Sequence, residues 1–320
     1  MDRWTKVEDA HIDPRPSVVT LGNFDGVHRG HQAVLRTVAQ RARTRDLRSI
    51  AITFDPHPVA VLHPERAPAQ ITGPDYRADL MSHCGLDALL TLPFTREFAQ
   101  LTPAEFVEQV LVEGLNAEMV IVGADTRFGV RNSGDVQTLR ELGRTYGFEV
   151  ETHEVAGEHA DGHRAWSSSG VRAALDAGDV SSASEVLGRL HRVSGPVVHG
   201  HHRGRELGYP TANLGPDSLG MVPADGVYAG WLERVDQPAD DDDRRLPVAI
   251  SVGTNPTFTD VMTRTVEAYV LDRLDLDLYG EMVGVDFVSR LRGNTKFDSM
   301  DELIEQMSRD VSVCRSVLLG

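Results

Sequence analysis

A short apolar run, Ser17–Leu21, leads straight into Gly22-Asn23-Phe24-Asp25-Gly26-Val27-His28-Arg29-Gly30-His31 and then into a helical pattern. No other stretch restricts the fold as much, because a strand that turns into a helix through glycines leaves the first helical N–H groups without intrahelical partners. Those donors and the positive end of the helix dipole form an anion site, for which phosphate oxygens are the natural ligand. Gly22, Gly26 and Gly30 remove side chains where backbone must approach a ligand. His28 and His31, three residues apart, project from one face of the first turn.

The pattern around this segment extends the same architecture. Short apolar runs at 17–21, 49–54, 88–92, 119–122 and 148–153 alternate with helical patterns, which predicts a doubly wound parallel sheet with crossover helices. One helix is expected over 103–113, with Thr102 as cap, Pro103 in the first helical position and Glu105 completing a capping box. After about residue 185 the strands lose their intervening helices and fall at 193–199, 226–235, 246–252, 265–271 and 282–288, which predicts a small antiparallel barrel. A closing helix should pack on it through Met300, Leu303, Ile304, Met307 and Val311. The chain thus reads as two domains, 1–184 and 185–320, as its 320 residues also suggest.

Composition narrows the function. A formal net charge of −16 argues against broad attraction to nucleic acid or anionic membrane. No apolar run approaches the ~20 residues that cross a bilayer, and residues 1–13 lack the apolar core of a secretory signal, so a cytoplasmic protein is expected. Cys84 and Cys314 form no CxxC pair and suggest neither a disulfide framework nor a zinc site. The run 240–243, all aspartate, followed by Arg244 and Arg245, reads as a solvated hairpin loop.

Further polar segments fall just past predicted strands, where doubly wound sheets bind ligands. Phe54-Asp55-Pro56-His57-Pro58 is stiffened by two prolines that could hold Phe54 and His57 against a planar ligand. Gly123-Ala124-Asp125-Thr126-Arg127-Phe128-Gly129 offers a carboxylate, a guanidinium and a ring in one loop. Ser167-Ser168-Ser169-Gly170-Val171-Arg172 opens another helix, where hydroxyls either cap the helix or bind phosphate that Arg172 neutralises.

Taken in order, these segments resemble the N-terminal, adenylyl-transferring half of prokaryotic bifunctional riboflavin kinase/FMN adenylyltransferases, also called FAD synthetases. The resemblance implies that ATP is bound by Gly22, Asn23, Phe24, Asp25, His28, His31, Ser167, Ser168 and Arg172. His28 and His31 would stabilise the α-phosphoryl transition state, and Ser168 and Arg172 would hold the departing pyrophosphate. Phe54, Pro56, Pro58, Asp125 and Phe128 would line the flavin site. Thr126 and Gly170 depart from the family pattern, where an aromatic and a bulkier residue are usual.

The second half carries Gly200-His201-His202-Arg203-Gly204-Arg205-Glu206-Leu207-Gly208-Tyr209-Pro210-Thr211-Ala212-Asn213, which resembles the riboflavin kinase signature. By that resemblance Gly200, Arg203, Gly204, Arg205, Thr211 and Asn213 bind ATP, with Thr211 and Asn213 holding Mg2+. Strand period puts Glu267 and Tyr269 on one face and Val266, Ala268 and Val270 on the other. Glu267 is the family-matched base for the riboflavin hydroxyl, and Glu267 and Arg290 would contact the flavin. The expected substrates are riboflavin, FMN and ATP, with FMN and FAD as products, and neither nucleic acid nor membrane is expected as a partner. Two rivals are a riboflavin kinase or flavin-binding regulatory protein with an inactive N-terminal site, and an aminoacyl-tRNA synthetase, which leaves the barrel unexplained.

Overall fold

The computed structural model describes residues 1–13, 15–153, 166–199, 209–256, 262–273 and 275–320. Packing divides the chain into two compact units, one of Met1–Pro68 and Pro74–Ser167, the other of Ala69–Gly73 and Ser168–Gly320.

In the first unit, strands β1 (Asp2–Trp4), β2 (Ser17–Leu21), β3 (Arg48–Asp55), β4 (Ala88–Pro93), β5 (Ala117–Gly123) and β6 (Glu149–His153) form one parallel sheet in the order β1-β4-β3-β2-β5-β6. Val18, Ala51, Leu89 and Ile121 pack on one face with Val34, Leu35 and Val38 of α1 (Arg29–Arg45). Val19, Ile50, Ile52, Leu90 and Val120 pack on the other with Phe106, Val110 and Leu111. Burial of both faces is why these strands read as unbroken apolar runs. The winding reverses between β2 and β5, so a crevice lies beyond Leu21 and Gly123.

Two local features differ from expectation. Strand β1 comes from a polar segment with no strand pattern, and it joins the sheet edge beside β4, where Trp4 is buried under the Arg48 guanidinium at 4.5 Å. After α1 the described residues of this unit form α2 (Pro58–Leu62), α3 (Pro74–Ser82), α4 (Pro103–Phe106) and α5 (Val136–Tyr146); the expected helix over 103–113 begins with the Thr102–Glu105 capping box, but its α-helical part is the single turn α4. Beyond α4 the chain is a π-helix, Val107–Gly114, whose end is tied by Leu115 N–H to Val110 O at 3.0 Å. A Cβ on Gly114 would stand 2.1 Å from Val7 Cγ1, so the bare backbone is what admits the segment preceding β2.

The second unit begins with helices α6 (Ser168–Ala177) and α7 (Val180–Leu187). Strands β7 (His191–Val198), β8 (Thr211–Leu214), β9 (Gly226–Arg234), β10 (Arg245–Pro256), β11 (Met262–Val270) and β12 (Met282–Arg292) close an antiparallel barrel, β10-β11-β8-β7-β12-β9. Side chains fill it: Val193, Tyr228, Ile250, Val266, Ala268 and Phe287 are in one core with Val171, Leu175, Val180 and Leu187 of the two helices. That shared core places 168–184 with the barrel by packing, whereas the sequence pattern puts the junction at 184/185. Ile71 joins the same core, and Arg172 Nε donates to Ala69 O at 2.8 Å. Strand β8 was not expected, being four residues long inside a motif read for its chemistry.

The aspartate run lies in the β9–β10 turn as expected, with Asp241 Oδ1 accepting from Asp243 N–H at 2.8 Å and Asp243 paired to Arg273. Among the described residues no group of His, Cys, Asp and Glu is placed to hold a metal ion. Both cysteines are free and buried, and burial pushes the Cys314 thiol up to about 12.

The last helix, α8 (Met300–Leu319), forms where expected and turns Leu303, Ile304, Met307 and Val311 partly inward, with Val311 packed beside Cys314. Met300 is 58% exposed, and the buried positions are Asp310 and Cys314. Cys314 packs on Ala229 and Leu271, while Asp310 takes two parallel hydrogen bonds from Arg292 of β12, at 3.0 and 2.7 Å. The hydrophobic pattern misses Asp310 because its inward position rests on that ion pair. Asp310→Ala leaves the largely buried Arg292 without its partner, and is expected to cost the barrel unit about 3 kcal/mol, the lower end for breaking a buried pair. Chemical denaturation monitored on the barrel tryptophan, Trp231, measures it; an unchanged midpoint would show that the pair contributes nothing.

Candidate functional site

The turn between β2 and α1 holds its backbone in an unusual shape. Phe24, Gly26 and Val27 have φ of 49, 82 and 41°, and a left-handed conformation is costly for a bulky aromatic and a β-branched residue. Asn23 O accepts from Thr53 Oγ1 at 3.1 Å, and Val27 O accepts from Gln32 Nε2 at 2.9 Å, bracing the turn at both ends. Phe24 and Asp25 are buried, while Asn23 is exposed.

The turn delivers both histidines to the start of α1. His28 is the N-cap, and its Nδ1 accepts from His31 N–H at 3.3 Å, which assigns the ring proton to Nε2. The two rings stack with centroids 3.6 Å apart, and Phe24 meets His31 edge-on at 5.3 Å. Burial, and secondarily the neighbouring His28, hold the His31 pKa well below its ordinary value of 6.5. His31 Nδ1 is buried with no hydrogen-bond partner. An orphaned imidazole nitrogen beside unsatisfied helix N–H groups suits a ligand oxygen, and a bound anion would draw a proton onto the pair.

Beyond the strand ends lies a cavity of about 810 Å³. Gly22 and Asn23 of the turn form part of its wall, together with Phe54, Pro58, Asp125, Thr126 and Phe128. Phe54, Phe94 and Phe98 pack as a triangle with centroids 5.6 to 5.9 Å apart, and Phe98, Phe106 and Phe128 continue the chain of rings. Such a wall fits a flat aromatic ligand, with Asp125 and the loop carbonyls available for its polar edge. Pro56, which follows a cis peptide bond after Asp55, does not line this cavity; Pro58 reaches the wall as expected. Phe94, Phe98 and Phe106 were missed, because each stands singly outside the motif segments, where a core role is the ordinary reading.

In the second unit a polar patch lies on the outer face of the barrel. Register pairs Glu267 with Asn213 and Tyr269 with Thr211 across β11 and β8, while Ala212, Val266, Ala268 and Val270 face inward, as the period-two reading requires. Asn213 Nδ2 donates to Thr211 O at 3.1 Å and to Thr211 Oγ1 at 3.2 Å. Tyr209 meets Tyr269 edge-on at 5.2 Å. Carboxylate, hydroxyl and amide are thus held side by side on a rigid sheet.

The remaining expected residues divide three ways. Gly200, Arg203, Gly204 and Arg205 lie outside the described residues. Ser167 precedes α6 and Ser168 and Arg172 lie on it, so by packing Ser168 and Arg172 belong to the unit that carries the barrel. Arg290 donates to Ala177 O at 3.2 Å and to Asp225 O at 2.6 Å, which ties it to backbone beside the barrel mouth. Asp225 in turn accepts from Thr254 Oγ1 at 2.8 Å and Arg264 Nε at 3.1 Å, a network the sequence did not reveal.

Known proteins resemble this chain over nearly its whole length. The sequence model of the FAD synthetase family matches residues 10–169, and that of the riboflavin kinase family matches 187–318. A bifunctional riboflavin kinase/FMN adenylyltransferase of Escherichia coli K12 is 35% identical over 298 residues, 93% of this chain and 91% of that protein. The enzyme of the same description from Pseudomonas fluorescens is 37% identical over 303 residues, 95% of this chain and 93% of that protein. A crystal structure from Streptococcus pneumoniae, described as a macrolide-efflux protein, superposes with a TM-score of 0.84 at 34% identity and covers 98% of both chains. Among the described residues no helix is long and apolar enough to cross a membrane.

The depressed His31 pKa fixes the sign of a pH effect. The unfolded chain takes up a proton on this histidine near pH 6.5 and the folded chain does so only at lower pH, so stability is full above 6.5 and falls as pH drops below it. The first unit should lose up to about 1.4 kcal/mol per pH unit from this group. His31→Gln should flatten the slope of melting temperature against pH between 6.5 and 5; an unaltered slope would mean that His31 does not titrate anomalously.

Proposed function

The chain belongs to the bifunctional riboflavin kinase/FMN adenylyltransferase family, and from that membership we propose how its residues divide the chemistry. The enzyme phosphorylates riboflavin with ATP to give FMN, and joins FMN to the adenylyl group of a second ATP to give FAD and pyrophosphate. Residues 1–184 carry the adenylyl transfer and 185–320 the phosphorylation. The observation behind this reading is that Gly22 and Asn23 belong both to the phosphate-binding turn and to the wall of the aromatic cavity. A flavin ring held among Phe54, Phe98 and Phe128 then has its phosphate next to the His28–His31 pair.

Adenylyl transfer needs no base, since the attacking FMN phosphate is already an anion. An FMN phosphate oxygen bonds to the α-phosphorus of ATP as the bond to the β-phosphate oxygen breaks, and pyrophosphate leaves. His28 and His31 donate to the oxygens on which charge builds, and the N–H groups at the start of α1 add to that field. Ser168 and Arg172 bind the leaving pyrophosphate. Gly22, Asn23, Phe24 and Asp25 shape the nucleotide pocket, Phe24 and Asp25 from buried positions beneath it.

Phosphorylating riboflavin differs, because its nucleophile is a neutral alcohol. Glu267 accepts that proton as the hydroxyl oxygen attacks the γ-phosphorus and ADP departs. Thr211 and Asn213 offer hydroxyl and amide oxygens, the hard donors Mg2+ prefers, and the Asn213 NH2 group turned towards Thr211 leaves its amide oxygen for a cation. Mg2+ bound there would neutralise charge on the ATP phosphates. A cytoplasmic location, where ATP is abundant, fits both reactions.

The direct test is a time course with riboflavin, ATP and Mg2+, resolving the flavins. FMN should rise first and FAD follow it, whereas FMN that accumulates without FAD would leave only a riboflavin kinase. His28→Ala should lower FAD formation from FMN about 100-fold or more, the cost of one charge-stabilising donor, and spare riboflavin phosphorylation. Glu267→Gln should slow FMN formation about 10²- to 10⁴-fold and leave adenylylation intact. Thr211→Ala should also impair only the kinase. If one of these variants, still folded, stopped both reactions, the two sites would not be independent.

A further inference from the structure

The strained turn rests on a charge that none of the sequence motifs contains. Arg77 lies on α3 and is only 3% exposed, with its NH1 nitrogen 3.4 Å from Asn23 O. That carbonyl also receives the Thr53 hydroxyl, so two donors from two different elements converge on one backbone oxygen at the entrance of the turn. Asp25, one residue on from Phe24, is buried as well, and it and Asp55 are the charges that act on Arg77 from the turn and from the end of β3. Burial alone would pull the Arg77 pKa down, and these two carboxylates oppose it. A guanidinium is seldom buried without such a purpose, since its desolvation is costly unless nearby acceptors and anions offset it.

Neighbouring contacts show what the charge controls. The carbonyl it holds is followed directly by Phe24, the first left-handed residue of the turn, and Val27 N–H closes the turn onto Phe24 O at 3.0 Å. Phe24 packs edge-on against His31, and His31 N–H is bonded to His28 Nδ1. A relaxation of Phe24 or Val27 to an extended backbone would therefore move the ring that supports His31 and the residue that precedes His28. Isolated left-handed Phe and Val persist only where their surroundings fix them.

We propose that Arg77 is a positioning residue for adenylyl transfer: by gripping Asn23 O beside Thr53, it keeps the 22–27 turn and the His28–His31 pair in their anion-binding arrangement before ATP arrives. It touches no substrate in this role and acts through the backbone. The proposal rests on the assignment of adenylyl transfer to the first unit. The turn it holds shares Gly22 and Asn23 with the wall of the flavin cavity, but the rings of that wall, Phe54, Phe98 and Phe128, stand on other elements, whereas the support of His31 runs through Phe24 of the turn, so its loss falls more heavily on ATP than on the flavin.

The experiment compares wild type, Arg77→Met, Arg77→Lys and Thr53→Val in the full chain, measuring FAD formation from FMN, riboflavin phosphorylation and thermal melting. Arg77→Met should reduce kcat/KM for ATP in FAD formation at least 30-fold, with KM for FMN within twofold and riboflavin phosphorylation unchanged. Arg77→Lys, which keeps a buried cationic donor, should recover part of the loss, and Thr53→Val should show a smaller defect of the same kind. A rate within threefold of wild type in Arg77→Met, equal changes in KM for ATP and FMN, or failure of Arg77→Lys to recover anything would overturn the proposal. If Arg77→Met does not fold, Thr53→Val decides: an unchanged KM for ATP refutes the role. Absence of FAD formation in the wild type would instead refute the assignment of the reaction.

Discussion

Everything chemical in the first unit depends on one short piece of backbone that is held against its own preference. Left-handed Phe24 and Val27 each cost on the order of 1–3 kcal/mol relative to relaxed conformations. The surroundings offset this through Thr53 and Arg77 on Asn23 O, Gln32 on Val27 O, and burial of the Phe24 ring. The result is a turn tight enough to bring a strand end and a helix start together, with two imidazoles stacked at the mouth. A parallel sheet buried on both faces supplies the rigidity this requires, because β2 and β3 cannot shift without disturbing two cores at once.

The same sheet explains where the aromatic cavity lies. Reversal of winding between β2 and β5 leaves a crevice that no crossover helix covers, and the loops after β2, β3, β4 and β5 all contribute to its wall. Aromatic rings from three of those segments, Phe54, Phe94 and Phe128, meet there with Phe98 and Phe106. A cavity built of rings that already pack on one another loses little order when a planar ligand enters, which favours binding. Thr126 also reaches the wall, so the aromatic usual at that position is absent from a surface already rich in rings.

Much of this was legible in the sequence wherever function is written into short contiguous segments. The β2–α1 segment declared its fold, since glycines, helix-start histidines and the preceding apolar run constrain one another. Glu267 was legible for a similar reason: alternation along β11 fixes its face, and β8 opposite carries Asn213. Arg77 was not legible, because a lone arginine in a helical pattern reads as solvent-facing and only the tertiary fold brings Asn23 to it. Asp310 hid in the same way behind its pairing with Arg292, and the aromatic chain hid because Phe94, Phe98 and Phe106 look like core. Strand β1 hid because three polar-flanked residues carry no period, and its place is set by the open edge of β4.

The two phosphoryl chemistries account for the two different kinds of site. An anionic nucleophile needs no base, and the β2–α1 turn, to which we assign adenylyl transfer, presents imidazoles and helix N–H groups while Asp25 is buried below them. An alcohol nucleophile must lose a proton, and the barrel presents a carboxylate on a strand whose inward neighbours Val266, Ala268 and Val270 lock its direction. An α/β crevice is suited to the first task because helix starts are built into it; an antiparallel barrel has no such ends and must instead supply its polar groups from the outer face of its strands. The division of labour between the two folds thus follows from what each architecture offers to an incoming phosphate.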